Sequence, residues 1–291
     1  MSGVLAIDLG GTNMRAAHYV SSIETMRSVE HGKAPSGLDE FVGRIKAARA
    51  ACGNVSALGI AVPGLASGTT CRWIPNLPYL DGVDLQALFP DMTIGLGNDA
   101  QIAMLAEARA GAAMGMSDAV LLAIGTGIGS AVLANGMIVS GSRGGACSFG
   151  WACADIDDTG SERNGWLERM ASGRAFDAIA LDNGFGSGTA LVAMAQAGNA
   201  GALARLAVPA RRLGVALAGM VGLLDPEAIL ISGGLADAVG VLGPEIRRAM
   251  QQHLPWHLRG VELRASAFGP RAGLVGAALA GEAGEGWRRA Q

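Results

Sequence analysis

The chain has 291 residues, half of them hydrophobic, with 45 glycines and only 16% charged residues. Its formal net charge of -3 offers no basic footprint for nucleic acid, so nucleic-acid binding is not expected. The length allows two domains with cores of their own, and the Ala, Gly, Val and Leu bias describes a compact α/β enzyme with many tight turns.

Val4–Asp8 reads as an apolar strand that turns at Gly10-Gly11 and returns through Met14–Val20 as a β-hairpin, with a third strand near Met26–Glu30. Leu38–Ala51 puts Leu38, Phe41, Val42 and Ile45 on one side of an amphipathic helix. Val55–Val62 is a continuous apolar strand halted by Pro63-Gly64, and a loop rich in Gly, Pro and Asn is expected from there to about Asp91. Met92–Leu96 reads as a short buried strand that delivers Asn98-Asp99 to the start of a helix, Ala100–Gly111. Strand, loop with an acid, then helix is a way to aim a carboxylate into a crevice.

The second half repeats the pattern. Strands Ala119–Ile124 and Ser130–Ala134 are joined by glycines and followed by Met137–Val139, then by a polar, irregular stretch from Ser140 to Gly165. Helices are expected over Trp166–Asp182 and Gly201–Leu224, a strand over Ala228–Ile231, and a helix over Val239–His253. A strand at Val261–Ala265 and a helix at Ala272–Ala280 close the chain. Two hairpin-plus-αβ halves point to a duplicated fold with a cleft between lobes.

The apolar run Ala119–Ala134 is broken by glycines and falls short of the ~20 residues of a spanning helix. Leu213–Leu224 stops at Asp225-Pro226 and is also too short. No basic stretch precedes an apolar core at the start of the chain, so a cytoplasmic protein without membrane association is expected. Cys52, Cys71, Cys147 and Cys153 show no CxxC spacing and are expected to be reduced. Pro255 disfavours the helix that would align His253 with His257, so no zinc site is expected.

Three glycine-rich turns each leave an apolar strand: Asp8-Leu9-Gly10-Gly11-Thr12-Asn13, Gly125-Thr126-Gly127-Ile128-Gly129 and Ser232-Gly233-Gly234. Glycines let backbone N–H groups crowd around an anion with no Cβ in the way. Three such turns point to a nucleotide gripped from several sides, and so to phosphoryl transfer. The plainer reading is hairpin chemistry, in which glycine supplies positive φ. Asp99 is either the cap of the following helix or the acceptor of an alcohol's proton. Asp8 either forms a turn or addresses Mg²⁺ through water, since that ion keeps several waters and takes few protein carboxylates.

The ordered series resembles the actin-like ATPase and sugar kinase superfamily and, more narrowly, the ROK family (repressors, open reading frames and kinases). Ile7–Asn13 is similar to its first phosphate motif, Gly59–Gly64 to its GxxxPG segment and Pro75-Asn76-Leu77 to its substrate-side loop. Asn98-Asp99-Ala100 stands where the family has its NDA, Gly125–Gly129 where it has the second phosphate loop, and Asp225–Gly234 where it has the adenosine motif. The stretch Ala272–Ala278 resembles the closing helix.

The resemblance implies an α/β, two-lobed actin-like ATPase (ribonuclease H-like) fold with an interdomain cleft. Its small lobe would be residues 1–112 plus the C-terminal helix 272–291, and its large lobe residues 113–271. It also implies ATP-dependent phosphorylation of a hexose or N-acetylhexosamine at the C6 hydroxyl, with Asp99 as general base and Mg²⁺ on the nucleotide. Asp8, Gly10, Gly11, Thr12, Asn13, Gly125, Thr126, Gly127, Gly233 and Gly234 would meet nucleotide or phosphate. Pro63, Gly64, Asn76, Asn98, Asp99, Ser148, Trp151 and Glu168 would face the sugar.

Glu168 has a plainer reading as a helix residue paired with Arg163 or Arg169, and Trp151 either stacks on a sugar or fills space. The family commonly reads AGExGH followed by a zinc segment. Here Ser148 stands at the sugar-binding Glu, Trp151 at the His, and the zinc cysteines are absent. A homodimer is typical of the family. The repressor branch carries a helix-turn-helix ahead of the kinase-like part; with a first strand by about Val4, that domain is not expected. A catalytically degenerate sugar-binding or regulatory protein is the alternative.

Overall fold

The computed structural model describes residues 2–290. In chain order it contains β1 (Gly3–Leu9), β2 (Asn13–Tyr19), β3 (Arg27–Lys33), α1 (Leu38–Cys52), β4 (Val55–Val62), β5 (Leu65–Ser67), β6 (Thr70–Trp73), α2 (Leu85–Leu88), β7 (Thr93–Asn98) and α3 (Asp99–Ala110). There follow β8 (Ala119–Ile124), β9 (Ile128–Ala134), β10 (Met137–Ile138), α4 (Trp166–Ala171), α5 (Gly173–Asp182), α6 (Gly188–Gln196) and α7 (Ala200–Leu224). The chain ends with β11 (Ala228–Ser232), α8 (Val239–Gln252), β12 (Glu262–Ala265) and α9 (Ala272–Ala283).

Contacts divide the chain into two compact units. The first holds the chain up to Gly115, Gly136–Ala146 and the segment from Pro270; the second holds Met116–Asn135 and Cys147–Gly269. In the first unit the sheet order is β3-β2-β1-β4-β7, with β1 antiparallel to β2 and parallel to β4, and β4 parallel to β7. Leu5, Ala6 and Ile7 are fully buried in succession, as expected of a parallel strand covered on both faces. Leu58 and Ile60 join the core that includes Phe41 and Ile45 of α1. Gly59 between them points the other way, against α9.

That helix lies close on the sheet because glycines line the contact. A Cβ on Gly59 would collide with the carbonyl of Ala277, one on Gly95 with that of Ala280, and one on Gly276 with that of Ile102 in α3. Trp287, just past α9, donates its indole N–H to Leu96 O at 3.0 Å and closes the end of the layer.

In the second unit β9, β8, β11 and β12 lie side by side in that order. The hairpin β8–β9 is antiparallel, and β11 runs parallel to β8 and β12. The two units therefore repeat one plan, a hairpin extended by parallel strands. α7 packs against α8, where a Cβ on Gly214 would strike the carbonyl of Ile246.

The structure corrects several expectations. The segment expected to be loop as far as Asp91 contains the β5–β6 hairpin and α2, whose cap Asp84 accepts from Gln86 N–H. The helix expected over Trp166–Asp182 breaks at Ser172, because Gly173 N–H leaves the helix to bond Gly125 O at 2.7 Å. α6 has no counterpart among the expected elements. The Leu213–Leu224 run is the end of a 25-residue helix, α7, long and apolar enough to cross a membrane by length and composition alone. Leu206, Leu213, Leu217 and Val221 are buried in the unit, which is the behaviour of a core helix.

Candidate active site

The first group of site residues gathers at the carboxyl ends of three adjacent parallel strands. Register pairs Asp8 with Ala61, Ala61 with Gly97 and Val62 with Asn98. Asp8 on β1, Pro63-Gly64 just past β4 and Asn98 ending β7 thus share one sheet edge, where ligands of open α/β sheets sit. Gly64 turns tightly, its N–H donating to Val62 O at 3.0 Å, and a Cβ there would strike Trp73 O.

Asn98 is the N-cap of α3, with φ -61° and ψ 146°, and its Oδ1 accepts from Ala100 N–H at 3.0 Å. Its Nδ2 donates to Gly64 O at 3.1 Å, tying the two strand ends together. The cap position therefore belongs to Asn98. Asp99 opens the helix itself, and its Oδ1 shares the same Ala100 N–H at 2.7 Å. The Asp99 side chain is accessible to water, yet protein crowds closely around it. Desolvation is the largest influence on its carboxyl and, with the negative charge of Asp8, lifts it to about 6; bonds from Ala100 N–H and Asn98 act in the opposite direction.

Asp8 faces Arg15 across the hairpin and forms an ion pair with it. The same guanidinium nitrogen donates to Pro270 O at 2.8 Å. A Cβ on Gly273, in the first turn of α9, would lie 2.6 Å from Asp8 Cγ. The carboxylate therefore sits between a guanidinium and the positive end of a helix dipole.

Beside it, Gly10 N–H donates to Asn13 O at 2.8 Å. Neither Gly10 nor Gly11 has positive φ, which removes the hairpin explanation for them. Gly11 is instead a close approach, since a Cβ would lie 2.8 Å from Asn76 Cβ. Asp8, Gly10, Gly11, Thr12, Asn13 and Arg15 border a cavity of about 380 Å³.

The second group lies wholly in the second unit. Gly125-Thr126-Gly127 joins β8 to β9, with Gly125 N–H donating to Gly127 O at 3.0 Å. Glu168 of α4 reaches this turn: its Oε2 accepts from Ile128 N–H at 3.0 Å, and a Cβ on Gly127 would lie 2.5 Å from that oxygen. Its Oε1 accepts from Arg174 at 2.8 Å. The partner of Glu168 is thus Arg174, whereas Arg169 clamps both oxygens of Asp158 at 2.9 and 2.8 Å. Gly233 has φ 78°, and a Cβ there would lie 2.6 Å from Ile124 O; Gly234 is open to solvent. Gly125, Thr126, Arg174, Asp177, Gly234 and Asp237 are among the residues around a cavity of about 410 Å³.

Ser148 precedes a 3-10 turn, Phe149–Trp151, that docks on the start of α4, where Leu167 N–H donates to Ala152 O at 3.2 Å. Trp151 is half exposed, so it does not fill core space; Trp166 takes the buried position. Asp158 and Arg169 brace the loop that follows. Among the described residues no group of three or more His, Cys, Asp or Glu side chains is arranged to hold a metal, and all four cysteines are free thiols.

Sequence reading misses Arg15, Arg174 and Gly273. Arg15 is within its reach, because a turn centred on Gly11 sets residue 15 opposite residue 8.

A family model described as ROK family matches residues 4–282. The chain belongs to the ROK family. It is 33% identical over 291 residues to the bifunctional enzyme NanE/NanK of Brucella melitensis, covering 95% of this chain and 53% of that protein. This ROK chain therefore spans about half the length of that relative.

A ROK family glucokinase from Streptomyces griseus, solved with glucose and AMPPNP, is 27% identical with a TM-score of 0.78, over 97% of this chain and 100% of that one. A putative sugar kinase from Cytophaga hutchinsonii is 27% identical with a TM-score of 0.81, over 95% and 98%. The fold is the two-lobed actin-like ATPase fold of ROK sugar kinases.

Proposed function

We propose that this ROK member is an ATP-dependent sugar kinase that phosphorylates a hexose or N-acetylhexosamine at its C6 hydroxyl. One observation carries the reading: Asp99 is a carboxylate that opens α3 at the end of β7, beside the N-cap Asn98, with its carboxyl raised to about 6. A base of that strength is ionised at pH 7 yet basic enough to accept a proton. Asp99 takes the proton of the sugar hydroxyl as the new O–P bond forms and the bond to the ADP oxygen breaks.

The first unit carries the acceptor: Asn76, Asn98 and the Pro63-Gly64 backbone hold sugar hydroxyls, because amides and carbonyls donate and accept at fixed spacing. Ser148 and Trp151, which the resemblance also gives to the sugar, belong to the second unit. The resemblance gives Glu168 to the sugar; its bonds to Ile128 N–H and Arg174 favour the donor side instead. Backbone N–H groups of Gly10–Asn13 and Gly125–Gly127 receive phosphates, and Gly233-Gly234 borders the nucleoside.

Asp8 fits a water-mediated contact to magnesium on the triphosphate. Its carboxylate borders the same cavity as Gly10–Asn13, and one carboxylate reached through water suits an ion that keeps most of its waters. When bound, that ion supplies charge neutralisation at the phosphates.

The glucose and AMPPNP of the Streptomyces griseus relative support a sugar acceptor and an ATP donor. A coupled ADP-release assay across hexoses and amino sugars tests the reading. Sugar-dependent ADP release supports it. Silence across the panel, with sugars raising the melting temperature, would favour a binding-only regulatory protein.

A further inference from the structure

We infer that Arg174 is a phosphate-binding residue of the donor site, held there by Glu168, and that it takes the polyphosphate of a nucleoside triphosphate. The inference rests on the sugar-kinase reading and deepens it. Among the described residues around the 410 Å³ cavity, Arg174 is the one basic side chain. Gly125 and Thr126 lie on the same wall. Arg174 directly follows Gly173, whose N–H is bonded to Gly125 O at 2.7 Å, so its backbone is anchored to the glycine turn.

The guanidinium is half exposed and steered from one side. Glu168 Oε1 and Asn164 Oδ1 both accept from Nη2, at 2.8 and 3.3 Å. A guanidinium carries five N–H donors in a rigid fork that matches phosphate oxygens. Fixing one nitrogen pre-organises that fork, as a supporting side chain does in a built site. Glu168 does this while its other oxygen holds Ile128 N–H, so one carboxylate sets both the cation and the end of the turn. Glu168 is a positioning residue here.

The rest of the cavity has the opposite character. Val192, Leu235 and Gln196 offer apolar and amide surface, and Asp237 adds an acid suited to ribose hydroxyls. A nucleoside triphosphate has this polarity, with an anionic tail, a hydroxylated sugar and an apolar base. A free phosphate or an inorganic polyphosphate would use only the Arg174 end.

Calorimetric titration of the full chain with adenosine, ADP, ATP and inorganic polyphosphate tests the inference. For Arg174→Ala, ATP affinity should fall by about 10- to 100-fold, the worth of a charge-assisted contact, while adenosine affinity stays within about twofold. Arg174→Lys should recover part of the ATP affinity by keeping the charge without the fork. Glu168→Gln keeps an acceptor for Ile128 N–H but loosens Arg174, so it should raise the KM for ATP more than that for sugar.

Unchanged ATP affinity in Arg174→Ala would overturn the inference, and so would equal loss of adenosine and ATP, which marks a structural role. Polyphosphate binding without adenosine binding would overturn the nucleoside part. Failure of the unaltered chain to bind any of the four would sink the kinase reading itself, a result distinct from an insensitive Arg174 variant.

Discussion

Asn98 caps α3 through Oδ1 and grips Gly64 O through Nδ2, so the residue beside the proposed base ties the start of α3 to the end of β4. The two functions separate by substitution. Asn98→Ala removes both and should cost roughly 0.5–2 kcal/mol of stability, the usual worth of a cap. Asn98→Asp keeps a capping acceptor but loses the donor to Gly64 and sets a second carboxylate next to Asp99. Its urea midpoint should lie between those of the parent and Asn98→Ala, because the cap is kept and the bond to Gly64 is lost, while turnover at pH 7 falls. A midpoint equal to that of Asn98→Ala would speak against the cap.

Asp99 ties activity and stability to pH in opposite ways. Its carboxyl rises from the ordinary 3.8 to about 6 in the fold. As a base it must be ionised, so kcat/KM should drop tenfold per pH unit below about 6. Between about pH 4 and 6 the folded chain holds a proton that the unfolded chain has released, so Asp99 makes stability decline as pH rises through that window and level off above it. Asp99→Asn removes the charge. Relative to the parent it should gain more melting temperature at pH 7 than at pH 4, and an identical difference at both would contradict the shift.

The glycine contacts under α9 are a test of the fold. Gly59→Ala would drive a Cβ into Ala277 O and should destabilise by roughly 1–3 kcal/mol or prevent folding, because the contact is backbone on backbone. Gly43, exposed in the middle of α1, has nothing within 4 Å of the place a Cβ would take. Gly43→Ala should stabilise by about 0.5–1 kcal/mol. Denaturant melts of the pair should move in opposite directions.

Gly273→Ala probes the carboxylate of Asp8. A Cβ 2.6 Å from Asp8 Cγ would push the carboxylate away from its place between Arg15 and the start of α9. The variant should need more magnesium for half-maximal rate. An unchanged magnesium requirement would detach Asp8 from that role.

Much of the fold is legible in the sequence alone. Val4–Asp8, Val55–Val62 and Ala228–Ile231 are apolar runs bounded by glycine or proline, and β1, β4 and β11 lie there. The Asn98-Asp99 step also reads directly as the passage from strand to helix, whereas which of the two residues caps α3 does not. α6 is hidden because alanine flattens the hydrophobic periodicity of Gly188–Gln196 and glycines crowd its start. β5 and β6 are hidden because short strands in a Gly- and Thr-rich segment look like turns.

The reasons for particular glycines lie beyond a sequence reading. Gly11 meets Asn76, Gly127 meets Glu168 and Gly273 meets Asp8, and each is a contact between distant segments that no local pattern encodes. The Glu168–Arg174 pair is invisible for a related reason. The break at Ser172 that orients Arg174 is imposed by Gly125, about fifty residues earlier in the chain.

The most direct measurement is turnover of Asp99→Asn with the best sugar found in the panel, taken with its sugar KM and melting temperature. A general base at this position predicts a fall in kcat of about 10²- to 10⁴-fold with sugar KM little changed and the fold intact. A folded Asp99→Asn protein that turns over at a near-parental rate would contradict it.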